Sequence, residues 1–122
     1  MKKVALITGA SSGIGKELAR IHAEKGGDLV LVARSKDKLE SLKSELENKH
    51  GVAVRPIVKD LTDPHAAKQI YDEVGATGIQ IDYLINNAGF GGHGKFHERA
   101  WEQDLAMINL NITALTALTR FF

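Results

Sequence analysis

The sequence has 122 residues and a net charge of +1, with 43% hydrophobic and 25% charged residues, which suits one ordinary globular domain over residues 1–122. So balanced a charge offers no basic field to a nucleic acid, and the lack of cysteine excludes disulfides, thiol chemistry and cysteine–zinc sites. No segment approaches a membrane-spanning length, and the apolar run after Lys2-Lys3 breaks at Thr8-Gly9, too soon for a signal core; a soluble cytoplasmic protein with neither a nucleic-acid nor a membrane partner is expected.

The chain opens on an apolar run, "VALI" (Val4 to Ile7). "TGASSGIG" (Thr8 to Gly15) follows, and then a helical period with Ile14, Leu18 and Ile21 on one face, closed by Gly26-Gly27. A second run, "LVLVA" (Leu29 to Ala33), leads to a helix whose face is Leu39, Leu42 and Leu46, with Ser35 as its expected N-cap. A third run spans Val52 to Val58. Its Pro56 cannot donate to a ladder, which predicts an edge strand. Ala67, Ile70 and Val74 mark a third helix, opened by Asp63-Pro64 with proline in the first turn. The fourth run is Tyr83 to Ile85. Beyond it lies the glycine-rich loop Gly89 to Gly94, expected to be mobile, and a helix lined by Trp101, Leu105, Ile108, Ile112 and Leu115.

The short runs do not alternate, as suits strands covered on both faces of a parallel sheet. The order βαβαβαβα therefore predicts an α/β sandwich. The last stretch, "NITALTALTRFF" (Asn111 to Phe122), is apolar on nearly every side. A helix of that kind is normally buried in a larger body. Ile112, Leu115, Leu118 and Phe122, with the open edge of the fourth strand, therefore predict self-association through the last helix.

Chemistry concentrates in the turn after the first strand. Residues without a Cβ allow a tight turn and close approach of a ligand, and free N–H groups at the helix start face a phosphate. Gly9, Ser11, Ser12, Gly13 and Gly15 are the expected pyrophosphate seat, although a glycine cluster can also be no more than a tight turn. A P-loop is rejected: Ala10 stands where its first glycine should be, and Glu17 replaces the hydroxyl that holds magnesium. The spacing G-x-G-x-x-G also fails. The pattern that fits, T-G-x-x-x-G-x-G, resembles the short-chain dehydrogenase/reductase family. "NNAG" (Asn86 to Gly89), "DLT" (Asp60 to Thr62) and "INLNIT" (Ile108 to Thr113) extend the resemblance over essentially the whole chain, with one departure at Ala114, where glycine is common.

The resemblance implies a doubly wound, Rossmann-type parallel sheet with strand order 3-2-1-4, truncated after the fourth β-α unit. It implies cofactor contacts from Gly9, Ser11, Ser12, Gly13, Ile14, Gly15, Arg34, Asp60, Leu61, Asn87, Ala88 and Gly89, with Asp60 against the adenine edge. It also implies hydride transfer to or from a small carbonyl or alcohol substrate. A dinucleotide fold that prefers NAD(H) carries an acid at the end of the second strand. Here Ala33 offers no carboxylate and Arg34 offers a cationic fork, which favours NADP(H) over NAD(H), although Ser12 stands where some NADP-preferring relatives carry a second basic residue.

Of the family's four catalytic residues only an asparagine is matched, at Asn111. The family's tyrosine works with a lysine four residues on, but Tyr71 is followed there by Gly75 and Tyr83 by Asn87. The expectation is the front, cofactor-binding part of such an enzyme, inactive alone. The alternatives are a non-catalytic nucleotide-binding module and an associating fragment that binds nothing. His93 and His97 have helical metal-ligand spacing, but Gly94 argues against a helix there and no third ligand is obvious.

Overall fold

A computed structural model describes residues 2–89 and 100–122. Its described elements run β1 (Val4–Thr8), α1 (Gly13–Glu24), β2 (Asp28–Ala33), α2 (Lys36–His50), β3 (Val54–Val58), α3 (Ala66–Thr77), β4 (Tyr83–Ile85) and α4 (Trp101–Ile108). A π-helical segment, Asn109–Ala114, then leads into α5 (Leu115–Phe121).

The four strands form one parallel sheet in the order β3-β2-β1-β4. The doubly wound α/β fold with strand order 3-2-1-4 is therefore present. Pro56 sits on the β3 edge, opposite Leu31 of β2, where its missing N–H costs no further ladder bond. The sheet's two faces carry separate cores. Ala5, Ile7, Leu29 and Leu31 face Ala19 and Ala23 of α1 and Leu39, Leu42 and Leu46 of α2. Leu6, Val30, Val32 and Ile57 face Ile70 and Val74 of α3 and Leu118 of α5. Burial on both sides explains why the strands read as continuous apolar runs.

Several local expectations change. The buried face of α1 is Gly15, Ala19 and Ala23, whereas Ile14 is 71% and Ile21 48% exposed, with Leu18 at the margin. Small residues let this helix lie close to the sheet, and the larger ones turn outward. α3 begins at Ala66, so Asp63-Pro64 lies in the turn before it; the Asp63 carboxylate accepts from the His65 N–H at 2.9 Å. Ser35 caps α2 as expected, its Oγ accepting from the Lys38 N–H at 3.3 Å.

The final stretch is not bare all round. Leu118 is buried at 1% exposure, and Phe121 and Phe122 pack against Tyr71, with ring centroids 5.1 and 5.5 Å away. Of the four groups expected to be bare, Ile112 and Leu115 are exposed, and Trp101, Leu105 and Ile108 of α4 extend that band. The glycine loop beyond Gly89, with His93 and His97, lies outside the described residues. Among the described residues no helix is long and apolar enough to cross a membrane.

Candidate functional site

The carboxyl ends of parallel strands leave a crevice where the crossovers diverge. In this chain it is a cleft of about 610 Å³, lined by Gly9, Ser11 and Ser12 from the first turn, Arg34, Ser35 and Lys38 after β2, and Lys59 to Thr62 after β3. Asn87, Ala88 and Gly89 close it after β4, and Leu110 borders it from the π-helical segment. The volume lies within the roughly 300–1,000 Å³ of ordinary ligand sites.

The first turn owes its shape to three glycines, Gly13 among them with φ +56°. Gly9 has φ +65°, a conformation that residues with a Cβ rarely adopt. Gly15 is held by space: a Cβ there would meet the Gly9 carbonyl oxygen and come within 2.5 Å of the Asn87 Nδ2. The start of α1 therefore folds directly over the turn. Ser12, in extended backbone before the helix, makes no side-chain capping bond, so its hydroxyl does not occupy the N–H groups at the helix start.

A hydroxyl ties this turn to β4. Thr8 is 1% exposed, and its Oγ1 accepts from the N–H groups of Asn87 and Ala88, both at 3.0 Å. Asn87 returns the link by donating from Nδ2 to the Gly9 carbonyl at 3.2 Å. The bracing by Thr8 and Asn87 is missing from the sequence reading. The available signal was a hydroxyl residue at a buried strand end, just before the glycine turn.

On the far wall, Asp60 Oδ1 accepts from the Thr62 N–H at 3.0 Å and the Thr62 hydroxyl at 2.7 Å. The Thr62 hydroxyl, the Thr62 amide and then the Arg34 charge hold the Asp60 carboxyl below its ordinary range, so it stays ionised. The Lys59 N–H donates to the Ala33 carbonyl at 3.1 Å, fixing the end of β3 beside the end of β2.

Of the expected cofactor residues, Gly9, Ser11, Ser12, Arg34, Asp60, Leu61, Asn87, Ala88 and Gly89 line the cleft. Gly13 and Gly15 shape its entrance turn, and Ile14 stands exposed beside them. Asn111 lies in the π-helical segment, its Oδ1 2.9 Å from where a Cβ on Gly89 would be, so it abuts the cleft's β4 wall. Ser35, Lys38 and Lys59 are lining residues that the sequence reading did not single out. Neither tyrosine lines the cleft. Tyr71 stacks on Phe121, and Tyr83 meets the His22 ring edge-on at 6.0 Å, at the strand's opposite end.

A dinucleotide needs a phosphate turn, an apolar wall for its base and a polar rim for its riboses. The glycine turn, Leu61 with Val32, and the Arg34 and Asp60 rim meet those needs.

Comparison with known proteins agrees with this geometry. The sequence profile of the family described as short chain dehydrogenase matches residues 3–122. A fatty acyl-CoA reductase of Acinetobacter baylyi is 47% identical over 88 residues, 71% of this chain and 29% of that protein. The solved structure of a short-chain dehydrogenase from Sphingobium yanoikuyae in complex with NADPH superposes with a TM-score of 0.90 at 42% identity, covering 98% of this chain and 46% of that one. L-Sorbose reductase from Gluconobacter frateurii, complexed with NADPH and L-sorbose, gives a TM-score of 0.92 at 36% identity, covering 99% and 46%. The chain spans less than half the length of each of these three relatives.

Proposed function

This chain belongs to the short-chain dehydrogenase family, and we propose that it forms the NADP(H)-holding part of an oxidoreductase acting on a small carbonyl or alcohol substrate. The observation that carries the cofactor choice is the end of β2, where Arg34 lines the cleft and Ala33 brings no carboxylate. Two relatives in complex with NADPH support it. In this reading Gly9, Ser11, Ser12, Gly13 and Gly15 hold the pyrophosphate, with Ile14 beside them. Arg34 takes the 2′-phosphate, and Asp60 and Leu61 receive the adenine. Asn87, Ala88 and Gly89 border the path toward the nicotinamide, and Asn111 anchors a water for proton relay. The bound cofactor supplies hydride chemistry.

The 122 residues by themselves are proposed to hold the nucleotide without turning over. Proton delivery by a placed acid contributes about 10²–10⁴-fold to such a reaction. Tyr71 and Tyr83 both lie off the cleft, and neither has a lysine four residues on. The same reading includes self-association through the exposed stripe of α4, the π-helical segment and α5.

Titration with NADPH and NADH tests the assignment. NADPH should bind more tightly, and Arg34→Glu should reverse the order. Equal affinities, or tighter NADH binding by the parent, would overturn the role of Arg34. Mixing the chain with NADPH and a panel of aldehydes and ketones should give no oxidation. Steady turnover abolished by Tyr71→Phe or Tyr83→Phe would mean that one of them is the acid after all.

A further inference from the structure

We propose that Lys38 and Lys59 join Arg34 in a three-cation clamp for the cofactor's 2′-phosphate, and so set its preference for NADP(H). The inference rests on the cofactor reading above and extends it to residues outside the glycine, "DLT" and "NNAG" motifs.

The three side chains come from three places on one wall. Arg34 directly follows β2, Lys38 lies one turn later in the first turn of α2, and Lys59 directly follows β3. All three line the cleft. The Lys59 N–H bond to the Ala33 carbonyl keeps the tips of β2 and β3 side by side, and the Ser35 cap on the Lys38 N–H fixes how α2 leaves β2. Arg34 precedes the Ser35 cap and Lys38 follows it in the first turn of α2, so the two flank the start of that helix at the cleft.

Charge arithmetic gives the lysines their purpose. A phosphomonoester carries about −1.5 to −2 at neutral pH. Arg34 alone supplies +1, and the ionised Asp60 stands on the same wall. Asp60 therefore offsets the arginine and leaves little net charge for a dianion. With Lys38 and Lys59 the wall carries three cations against one carboxylate, a net +2. Neither lysine is committed to an ion pair among the described residues, whereas Lys2, Arg20, Lys43 and Lys68 all are. Lys38 also sits in the first turn of α2, where the helix dipole disfavours a cation. An anion bound between Lys38 and Arg34 reverses that conflict.

The test is equilibrium binding of NADPH and NADH, read by nucleotide fluorescence on the full chain. The variants are Lys38→Gln, Lys59→Gln and, as a control, Lys36→Gln, an exposed first-turn lysine that does not line the cleft. Each cleft variant should weaken NADPH binding by about three- to tenfold, as for loss of one charge-assisted contact, and leave NADH binding unchanged. Added salt should erode the parent's NADPH preference more than that of a variant carrying both Lys38→Gln and Lys59→Gln. Melting temperatures should stay at or above the parent's, because a cation is removed from a helix N-terminus in Lys38→Gln. Unchanged NADPH binding in both cleft variants, or equal weakening for both nucleotides, would overturn the clamp; the Arg34→Glu reversal would then still stand for the cofactor reading. An effect of Lys36→Gln as large as that of Lys38→Gln would also overturn it, by reducing the effect to general charge. Binding of neither nucleotide by the parent would overturn the cofactor reading and the clamp together.

Discussion

Thr8 shows how much can rest on one hydroxyl. Its Oγ1 accepts two backbone amides in a site that is 1% exposed. Thr8→Val keeps the shape and removes the acceptor, leaving the Asn87 and Ala88 N–H groups to find another partner. The expected loss is about 1–3 kcal/mol, the cost of stranding buried donors. Urea unfolding measures it, and Thr8→Ser should recover most of the loss. A Thr8→Val midpoint equal to the parent's would show that the latch carries no weight. The sequence displays Thr8 plainly, but its partners lie 79 and 80 residues away, so no local pattern exposes the bond. The place of Arg34 in the cleft was legible because its signal is local, one residue past a buried strand and with no carboxylate before it.

Helices differ in how clearly they declare their buried face. In α2 that face is three leucines, which the 3.6-residue period picks out at once. In α1 it is Gly15, Ala19 and Ala23, and a reading weighted by hydrophobic size selects the wrong side. The cause is distance: the turn over Gly9 forces α1 against the sheet, and only small residues fit there. The π-helical segment had no signal, because its extra residue per turn leaves the composition unchanged.

At the same scale, α2 is tied to β3 through Glu47, whose Oε2 accepts from Lys43 Nζ at 2.9 Å and from the Val54 N–H at 3.1 Å. These two bonds, the lysine's first, hold the Glu47 carboxyl below the ordinary 4.5. A carboxyl depressed in the folded state lends stability above its ordinary value and loses it as pH falls through the folded value. Melting temperature should therefore decline on acidification below pH 4.5, in the window opened by Glu47 and by Glu45, which Arg20 depresses likewise. Glu47→Gln should cost about 1 kcal/mol at neutral pH and flatten that decline. Parallel pH profiles for parent and variant would refute the assignment to Glu47.

The described residues pack helices on both faces of the sheet yet leave an apolar stripe outside. Trp101 and Ile112 are 57% and 59% exposed, and Leu105, Ile108 and Leu115 continue the same band. Fully covering one such side chain is worth roughly 1.5–3 kcal/mol. The chain should therefore associate at micromolar concentration, and Ile112→Ser with Leu115→Ser should shift it toward monomer. Light scattering decides: a sharp monomer peak from the parent would sink the proposal. The global architecture was the most legible level. Apolar runs gave the strands, Pro56 marked an edge, and the motif resemblance supplied the order. Less legible was which part of the last helices is covered, because Leu118 and Ile112 look alike in sequence and only packing separates them.

The latch between Thr8 and Ala88 also sets a clock. A ribosome adds residues at about 5–20 per second, so about 4–16 s pass between making Thr8 and making Ala88. Until that interval ends, the glycine turn stands without the amides that brace it. The turn is among the first things synthesised, and its bracing waits for the residues just past the fourth strand.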